Sequence, residues 1–589
     1  MESGINRTEH DTASPLSFDA NRPRLAPSRE EQLIWAFILI GLLARCVRYF
    51  LRFPLWEDEC FLCVSFIDRS YSGLLQPLEY MQVAPVLFLW IELTLVKLLG
   101  FSELSLRLFG FACSIASLFL FRHVAGRLLQ GTARVMAVGI FAVSYPGIRY
   151  AAEAKQYASD MFVGLLMLSL VVEWWVASTT QRRQQILWLM TAIVPFGIAL
   201  SLPAVFASGG VSLFVALVLW QQAVAAGHSW TQIVRSSIVD RQWQAWVAFN
   251  AALVGSFLFV LTWAAKNDNV VEMDRFWNYV FPPLTAPWKL PVWFLNTHTG
   301  DLLAYPVGGG RGASTLTFLA VAAAVVALWK GRRWTFLALL LASPMLHLAA
   351  SALRRYPYGG HVKFSQHMAA IICLLAGIGS ATILSWLARR ERSSQRALAA
   401  AIAVLMVIGV SSMARDVMLP YKTKSDMRAR AFAQWFWFNA GFDSEVLCVK
   451  TDLDQNFSPD TYRELSWAAM YLCNKRIYAP PQTTMDARLA KVSDDHPLRC
   501  VIYRDPRYEF DEAARDRWLD GMTSKYRLVG TESFPFPRFA KGETRCFAVD
   551  YLDEYTFVPS DSAVTAGSRR SPADVGLRDI ATKRRDQPH

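Results

Sequence analysis

Just after an apolar stretch from Gln32 to Phe50, the chain reads Pro54-Leu55-Trp56-Glu57-Asp58-Glu59-Cys60-Phe61. The apolar stretch has about the length of a membrane-spanning helix, which needs about 20 mostly apolar residues. The acid pair Asp58-Glu59 therefore lies at a membrane surface, where carboxylates are costly to desolvate and often functional. Flanking Trp56 and Phe61 can raise the pKa of a carboxylate toward the range of a general base. A solvated surface turn is the plainer alternative.

Composition extends this picture to most of the chain. Of 589 residues, 53% are hydrophobic and only 18% are charged, whereas soluble domains carry about 25% charged residues. A net charge of +12 is also typical of nucleic-acid binding. Here, however, the basic residues lie mainly in short loops between apolar runs, so we expect membrane lipids as surroundings and no nucleic-acid partner.

The apolar runs predict an α-helical polytopic membrane protein with about eleven transmembrane helices. One further run, residues 83–99, carries Glu92 and Lys97 and reads better as a helix lying in the membrane surface. The eleven predicted spans cover residues 32–51, 105–122, 135–149, 158–177, 187–206, 208–225, 243–264, 315–329, 335–352, 367–388 and 398–418.

The basic loops give the predicted orientation, because short cytoplasmic loops are enriched in Lys and Arg. If residues 83–99 do not span, the basic short loops all share one side, which we assign to the cytoplasm. We then expect a multi-pass inner (cell) membrane protein with Asp58 and Glu59 on the periplasmic or equivalent outer side. The basic loop residues include Arg122, Arg127, Arg134, Arg182, Arg183, Arg235, Arg241, Lys330, Arg332, Arg333, Arg389 and Arg390.

Four regions are expected along the chain. Residues 1–30 are polar and proline-containing and predict a disordered cytoplasmic tail, and residues 31–419 form the membrane domain. Short apolar runs at 445–449 and 499–503 read as strands, so 420–560 predict a small soluble α/β domain on the outer side. Residues 561–589 predict a second disordered tail.

Four cysteines lie in the predicted soluble domain. Outside the cytoplasm they can form two disulfides, and buried free thiols are the equal alternative. The sequence leaves both possibilities open for Cys448, Cys473, Cys500 and Cys546.

A second charged group connects the third and fourth spans on the predicted outer side. It reads Arg149-Tyr150-Ala151-Ala152-Glu153-Ala154-Lys155-Gln156-Tyr157. If this segment is helical, Arg149, Glu153 and Tyr157 share a face. The alternative is a simple surface network of Arg, Glu and Lys.

A third group is the outer loop from Arg354 to Lys363, whose basic residues break the charge rule for outer loops. Arg binds phosphate bidentately and Lys acts as a point charge, and Gly359-Gly360 would let the backbone approach a ligand. A tolerated exception to the rule is the alternative.

These motifs resemble those of the GT-C membrane glycosyltransferases, in the branch of protein O-mannosyltransferases and the bacterial lipid A aminoarabinose transferase. The likeness covers roughly residues 30–420. It rests on Leu55–Glu59, on Gln82–Phe88 continued by Gly100–Leu108, on Glu153–Tyr157 and on Arg355–Gly360.

The resemblance implies transfer of a sugar from a polyprenyl-phosphate donor to a hydroxyl or amine of a glycolipid, polysaccharide or protein acceptor. It implies Asp58 as the general base, with Glu59 and Glu153 orienting the acceptor or sugar. Many relatives have Arg where His361 and Lys363 stand. The substrate- and phosphate-binding candidates are Gln82, Arg149, Lys155, Tyr157, Arg355, Tyr356, His361 and Lys363.

Some members of this superfamily use a divalent metal. No dense acidic cluster demands one here, so we predict neither a metal nor another cofactor.

Two other classes of function compete with a transferase. A transporter or flippase would line a path with the same charges, but it often has matching broken helices in two halves, which this sequence lacks. A non-catalytic assembly scaffold is the remaining alternative.

The topology predicts that reporters fused after residues 130 and 430 fall on opposite sides of the membrane. Protease protection or reporter activity measures this directly. Both reporters on one side would show that the number of spans is wrong.

Overall fold

The computed structural model describes residues 27–63, 65–78, 82–227, 240–264, 277–310, 312–387, 391–422, 427, 430, 445–451, 457–458, 492–504, 512–539 and 546–560. The predicted tails at 1–30 and 561–589 lie outside these ranges, except that the first helix already begins at Pro27. The described residues form two compact units, a helical one that includes Arg430 and an α/β one that begins at Glu445.

The helical unit contains sixteen α-helices within the described ranges. They are α1 (Pro27–Phe50), α2 (Glu57–Cys63), α3 (Ser65–Asp68), α4 (Val86–Leu99), α5 (Leu108–Leu128), α6 (Gly131–Ala142), α7 (Tyr145–Tyr150), α8 (Tyr157–Val176), α9 (Thr180–Leu200), α10 (Ala204–Ala225), α11 (Arg241–Ala264), α12 (Leu290–Thr299), α13 (Thr315–Lys330), α14 (Trp334–Ala352), α15 (Ala369–Leu387) and α16 (Glu391–Met418). Short 3-10 helices at Ser105–Arg107 and Val362–Met368 lead into α5 and α15.

The polytopic fold is confirmed. Nine described helices are long and apolar enough to cross a membrane, and the shorter apolar helices α6 and α13 occupy two further predicted positions. Together they lie at the positions of the eleven predicted spans. The 14-residue α4 is about 21 Å long and would not cross a hydrocarbon core of about 30 Å.

The third predicted span, 135–149, is wrong at its end. Helix α6 stops at Ala142, and α7 begins separately with Pro146 in its first turn. Proline has no N–H to donate to the carbonyl four residues earlier. Arg45 of α1 supplies a donor instead, with Nη1 2.9 Å from the Ala142 carbonyl and 2.8 Å from that of Gly41. The buried Arg45 thereby donates the hydrogen bond to the Ala142 carbonyl that Pro146 cannot donate.

Arg149, Glu153 and Tyr157 do not lie on one helix, so the condition under which they would share a face is not met. Helix α7 ends at Tyr150, residues 151–156 form turns, and α8 begins at Tyr157. The Ala154 N–H donates to a side chain elsewhere in the chain, the Glu59 carboxylate, at 2.6 Å. A helix would need that N–H for its own ladder.

Helix α1 makes two close contacts with other spans, one with α6 and one with α16. A Cβ added to Gly41 would lie 2.6 Å from the Ala142 carbonyl oxygen, so α1 and α6 touch through their backbones. Further along, Arg48 forms a buried ion pair with Asp416 of α16, with Nη1 2.8 Å from Oδ1. These contacts hold the first and last spans against the core.

The α/β unit is a five-stranded sheet with α17 (Glu512–Thr523). Its order is β2-β1-β3-β5-β4, with β1 and β3 parallel and the other pairs antiparallel. The strands are β1 (Glu445–Thr451), β2 (Phe457–Ser458), β3 (Leu498–Arg504), β4 (Tyr526–Phe539) and β5 (Cys546–Pro559).

The sheet has its own small core. Leu498, Cys500 and Ile502 of β3 are fully buried, and Trp518 of α17 packs against them. Cys473 and the side chains of Cys448 and Cys546 lie outside the described residues, so the choice between disulfides and thiols stays open.

The close contact at Gly41 can be tested with a matched pair of variants. Gly41→Ala forces α1 away from α6 and should lower the free energy of unfolding by about 1–3 kcal/mol, as overpacking does. Gly255→Ala in α11 has open space for its Cβ and should not destabilise, because Ala is the better helix former. Thermal unfolding in detergent compares them, and equal melting temperatures would contradict the packing described here.

Candidate active site

Glu59 is a buried structural acid. It is 1% exposed, and Arg107 donates to both of its oxygens, from Nε at 2.9 Å and from Nη2 at 2.7 Å. The backbone N–H groups of Ala154 and Trp56 donate to the same carboxylate, at 2.6 and 3.2 Å. Because both of its oxygens already accept hydrogen bonds, Glu59 stabilises the fold and has a structural role.

Arg107 completes this anchor from the start of α5. Its Nη1 donates to the Phe53 carbonyl at 2.6 Å and its Nη2 to the Pro54 carbonyl at 3.3 Å. Glu59 and Arg107 therefore join the segment before α2, the entry to α5 and the turn before α8. This arrangement fixes the position of Asp58, the neighbour of Glu59 on α2.

Asp58 faces the charged turn directly. Its Oδ1 lies 3.1 Å from Nζ of Lys155, and the same ammonium donates to Oε1 of Gln82 at 2.5 Å. The three side chains come from separate segments and meet only in the fold. The structure thus brings together Asp58, Gln82 and Lys155.

Arg149 and Glu153 form a second pair in the same region, with Nε 2.6 Å from Oε1. Glu153 is 3% exposed. The turn that carries it also carries Lys155, so the two acids Asp58 and Glu153 are linked through one short segment.

Each acid keeps one buried oxygen without a hydrogen-bond donor among the described residues. These atoms are Oδ2 of Asp58 and Oε2 of Glu153. An unsatisfied buried polar group costs about 1–3 kcal/mol, and more when it is charged. Such atoms are the natural acceptors for a proton donor on a bound substrate.

The structure corrects the expected pKa of Asp58. Burial raises it, as the flanking aromatic residues suggest, but the ammonium groups of Lys155 and Lys363 outweigh burial and hold the pKa below its ordinary value. Burial also raises the pKa of Glu153, but Arg149 and Lys422 lower it by more, so this pKa too lies below its ordinary value. Both acids are therefore ionised at neutral pH.

Lys363 lies among aromatic rings close to this pair of acids. Its Nζ is 4.6 Å from the ring centre of Trp277, 5.4 Å from that of Phe364 and 5.9 Å from that of Tyr157. Aromatic faces attract a cation without neutralising it. Aromatic rings therefore surround the Lys363 ammonium, which lies near enough to act on the Asp58 carboxylate.

His361 is part of the site but is not a cation. Its Nδ1 accepts from the backbone N–H of Lys363 at 3.2 Å and lies 3.4 Å from the hydroxyl of Tyr150. Burial, with Lys363 and Arg149 nearby, lowers its pKa to about 3. At neutral pH it can bind phosphate only through Nε2–H, as a neutral donor.

Two other predicted residues lie apart from the acids. Arg355 is exposed, and its side chain contacts none of the acids within the described chain. Tyr356 packs into an aromatic group, 5.2 Å from the ring of His347 and 6.1 Å from that of Phe364, and burial raises its pKa well above the ordinary value.

Arg107 and Lys422 are site residues that sequence reasoning missed. Arg107 stands within a quoted motif, yet a lone arginine at the start of a span is usually assigned to the interface. Lys422 follows the last span and lies over the Trp56 ring, from which it acts on both acids. No local pattern places it there.

Among the described residues, no group of three His, Cys, Asp or Glu side chains is placed to hold a metal ion. The absence of a metal requirement stays a prediction.

Solved structures similar to this chain include two of ArnT and one of an oligosaccharyltransferase. ArnT from Cupriavidus metallidurans matches over 89% of this chain and 98% of its own in the apo state, with 12% identity and a TM-score of 0.46. Its complex with undecaprenyl phosphate matches over 88% and 97%, with 12% identity and a TM-score of 0.47. The Archaeoglobus fulgidus oligosaccharyltransferase matches over 76% and 61%, with 9% identity and a TM-score of 0.44.

No family model and no curated protein matches the sequence.

The lowered pKa of His361 predicts a flat pH profile for kcat/KM between about pH 5.5 and 7.5. A cationic His361 would lose phosphate binding as pH rises through its ordinary pKa of 6.5, whereas a group with a pKa of about 3 is neutral over this whole range. Initial rates measured across the range test this. A fall centred near pH 6.5 that His361→Gln abolishes would contradict the neutral assignment.

Proposed function

We propose that this protein is a membrane glycosyltransferase that moves a sugar from a polyprenyl-phosphate-linked donor to an acceptor hydroxyl or amine on the outer face of the membrane. One observation carries the proposal. Two buried carboxylate oxygens without donors, on Asp58 and Glu153, lie beside a group of cations at a membrane surface. This combination suits a reaction in which the acceptor loses a proton and the donor loses a phosphate group.

Asp58 is the proposed general base. The acceptor oxygen or nitrogen attacks the anomeric carbon while Oδ2 of Asp58 takes its proton. The bond between that carbon and the phosphate oxygen breaks, and its electron pair stays on the departing polyprenyl phosphate. Attack opposite the leaving group inverts the anomeric centre.

The cations stabilise the leaving phosphate in this proposal. Lys155 contacts Asp58, and Lys363 and Lys422 lie near enough to act on it. With Arg149 paired to Glu153, cations outnumber the two acids, which leaves positive charge for an anion. Charge stabilisation of this kind is usually the largest single catalytic contribution. Lys155 contacts Asp58 before substrate binds, and a phosphate would draw it away and leave Asp58 a stronger base.

Glu153 and Gln82 are proposed to orient the sugar or the acceptor. Glu153 presents its second oxygen into the same region, and Gln82 fixes the Lys155 ammonium. Glu59 is proposed as a positioning residue only. Arg355 has no support as a phosphate ligand from its exposed position.

Transfer is tested with purified protein and a panel of undecaprenyl-phosphate sugars, with a membrane lipid extract as acceptor. We expect a glycosylated product and free undecaprenyl phosphate. If the lipid-linked sugar instead moves across the bilayer of vesicles and its bond to phosphate stays intact, the protein is a flippase and not a transferase.

Asp58→Asn should lower turnover at least about 100-fold, since general-base catalysis contributes about 10²–10⁴, with little change in thermal stability. Glu103→Gln is the matched control, because Glu103 lies just before Arg107 in the chain but pairs with Arg430 and not with Lys155. This variant should keep most of the activity. Equal activities in the two variants would remove Asp58 from the mechanism.

A further inference from the structure

A cavity lined by both basic and apolar side chains lies at the other end of the membrane spans. Its volume is about 390 Å³, and it is formed by the ends of α8 and α10 and by the turn into α14. No Asp or Glu is among its lining residues. The side chains that matter here are Trp175, Gln221, Gln222, Arg332, Arg333 and Trp334.

The cavity is on the opposite membrane surface from the acids. Helix α8 begins at Tyr157, beside Lys363, and has reached the cavity by Trp175. Eighteen residues of helix are about 27 Å long, close to the thickness of a hydrocarbon core of about 30 Å. The cavity therefore belongs to a different site from the one described above.

Its chemistry favours a phosphate. Arg332 and Arg333 both line the cavity, and a guanidinium group binds phosphate oxygens bidentately. The amide of Gln221 already contacts Thr335, at 3.2 Å from its hydroxyl, so the polar wall is partly ordered.

The backbone of Arg332 and Arg333 is fixed by the end of helix α13. The N–H of Arg332 donates to the Trp329 carbonyl and that of Arg333 to the Leu328 carbonyl, both at 3.0 Å. The φ of Arg332, +54°, is the left-handed conformation that commonly ends a helix in this way. The two arginines of the cavity lining therefore lie on an ordered turn.

The surroundings favour a lipid over a soluble anion. Trp220, Trp329 and Trp334 at the same ends of the helices are 43%, 59% and 43% exposed. Tryptophan is enriched at the level of the headgroups, and basic pockets between spans bind anionic headgroups. The apolar outer faces of α10 and α13 continue from the cavity along the bilayer.

We propose that this cavity binds the headgroup of an anionic glycerophospholipid, with Arg332 and Arg333 on its phosphate. The site is independent of sugar transfer and of the proposed function.

Native mass spectrometry of the full chain in detergent measures binding of phosphatidylglycerol, phosphatidylcholine and inorganic phosphate. We expect one tightly retained phosphatidylglycerol, with at least tenfold weaker retention of phosphatidylcholine, and no competition from inorganic phosphate at millimolar concentration. Equal retention of the two lipids, or displacement by inorganic phosphate, would overturn the lipid assignment.

Variants locate the site. The double variant Arg332→Gln/Arg333→Gln should weaken phosphatidylglycerol binding at least tenfold. Ala225→Trp fills the cavity without removing charge and should have the same effect, which guards against a folding defect from the loss of arginine. Arg182→Gln is the control, an exposed arginine in the first turn of α9 outside the cavity lining, and should change binding less than twofold. Unchanged binding in both cavity variants would place the lipid elsewhere.

Discussion

The candidate site depends on the buried ion pair between Glu59 and Arg107. Two ions taken out of water each cost several kcal/mol in real proteins, and the pair repays this only with good geometry and further hydrogen bonds. Here the geometry is bidentate, and backbone groups of two segments, one before α2 and one before α8, supply the further bonds. Removing one partner would leave an uncompensated charge, which typically costs about 3–5 kcal/mol.

This pair explains why adjacent acids have different roles. Helix α2 directs Glu59 inward to Arg107 and leaves Asp58 facing Lys155. The bond from Ala154 to Glu59 also opens the turn that carries Glu153 and Lys155. One structural interaction thus places an ionised acid, a second acid and an ammonium group together, and the chemistry proposed here needs all three.

The sequence was most informative where the signal is local. Spans are readable because each must bury about 20 apolar residues in lipid, and the acidic motifs are readable because charges are rare beside them. Pro146 is visible in the sequence, but the Arg45 side chain that satisfies the Ala142 carbonyl comes from 97 residues away, so the local pattern does not show where helix α6 ends. The roles within the site are long-range properties. Nothing near Asp58 reveals that Lys155 lowers its pKa, or that Glu59 rather than Asp58 faces Arg107, and nothing near Arg355 shows that its side chain is exposed.

An experimental structure of the protein with polyprenyl phosphate and an acceptor analogue bound tests the central claim most directly. The account predicts the reacting acceptor atom within about 2.6–3.2 Å of Oδ2 of Asp58, with the phosphate against Lys155 and Lys363 and the Glu59–Arg107 pair intact. A phosphate bound away from these lysines, with Asp58 still paired to Lys155 and out of reach of the acceptor, would contradict it.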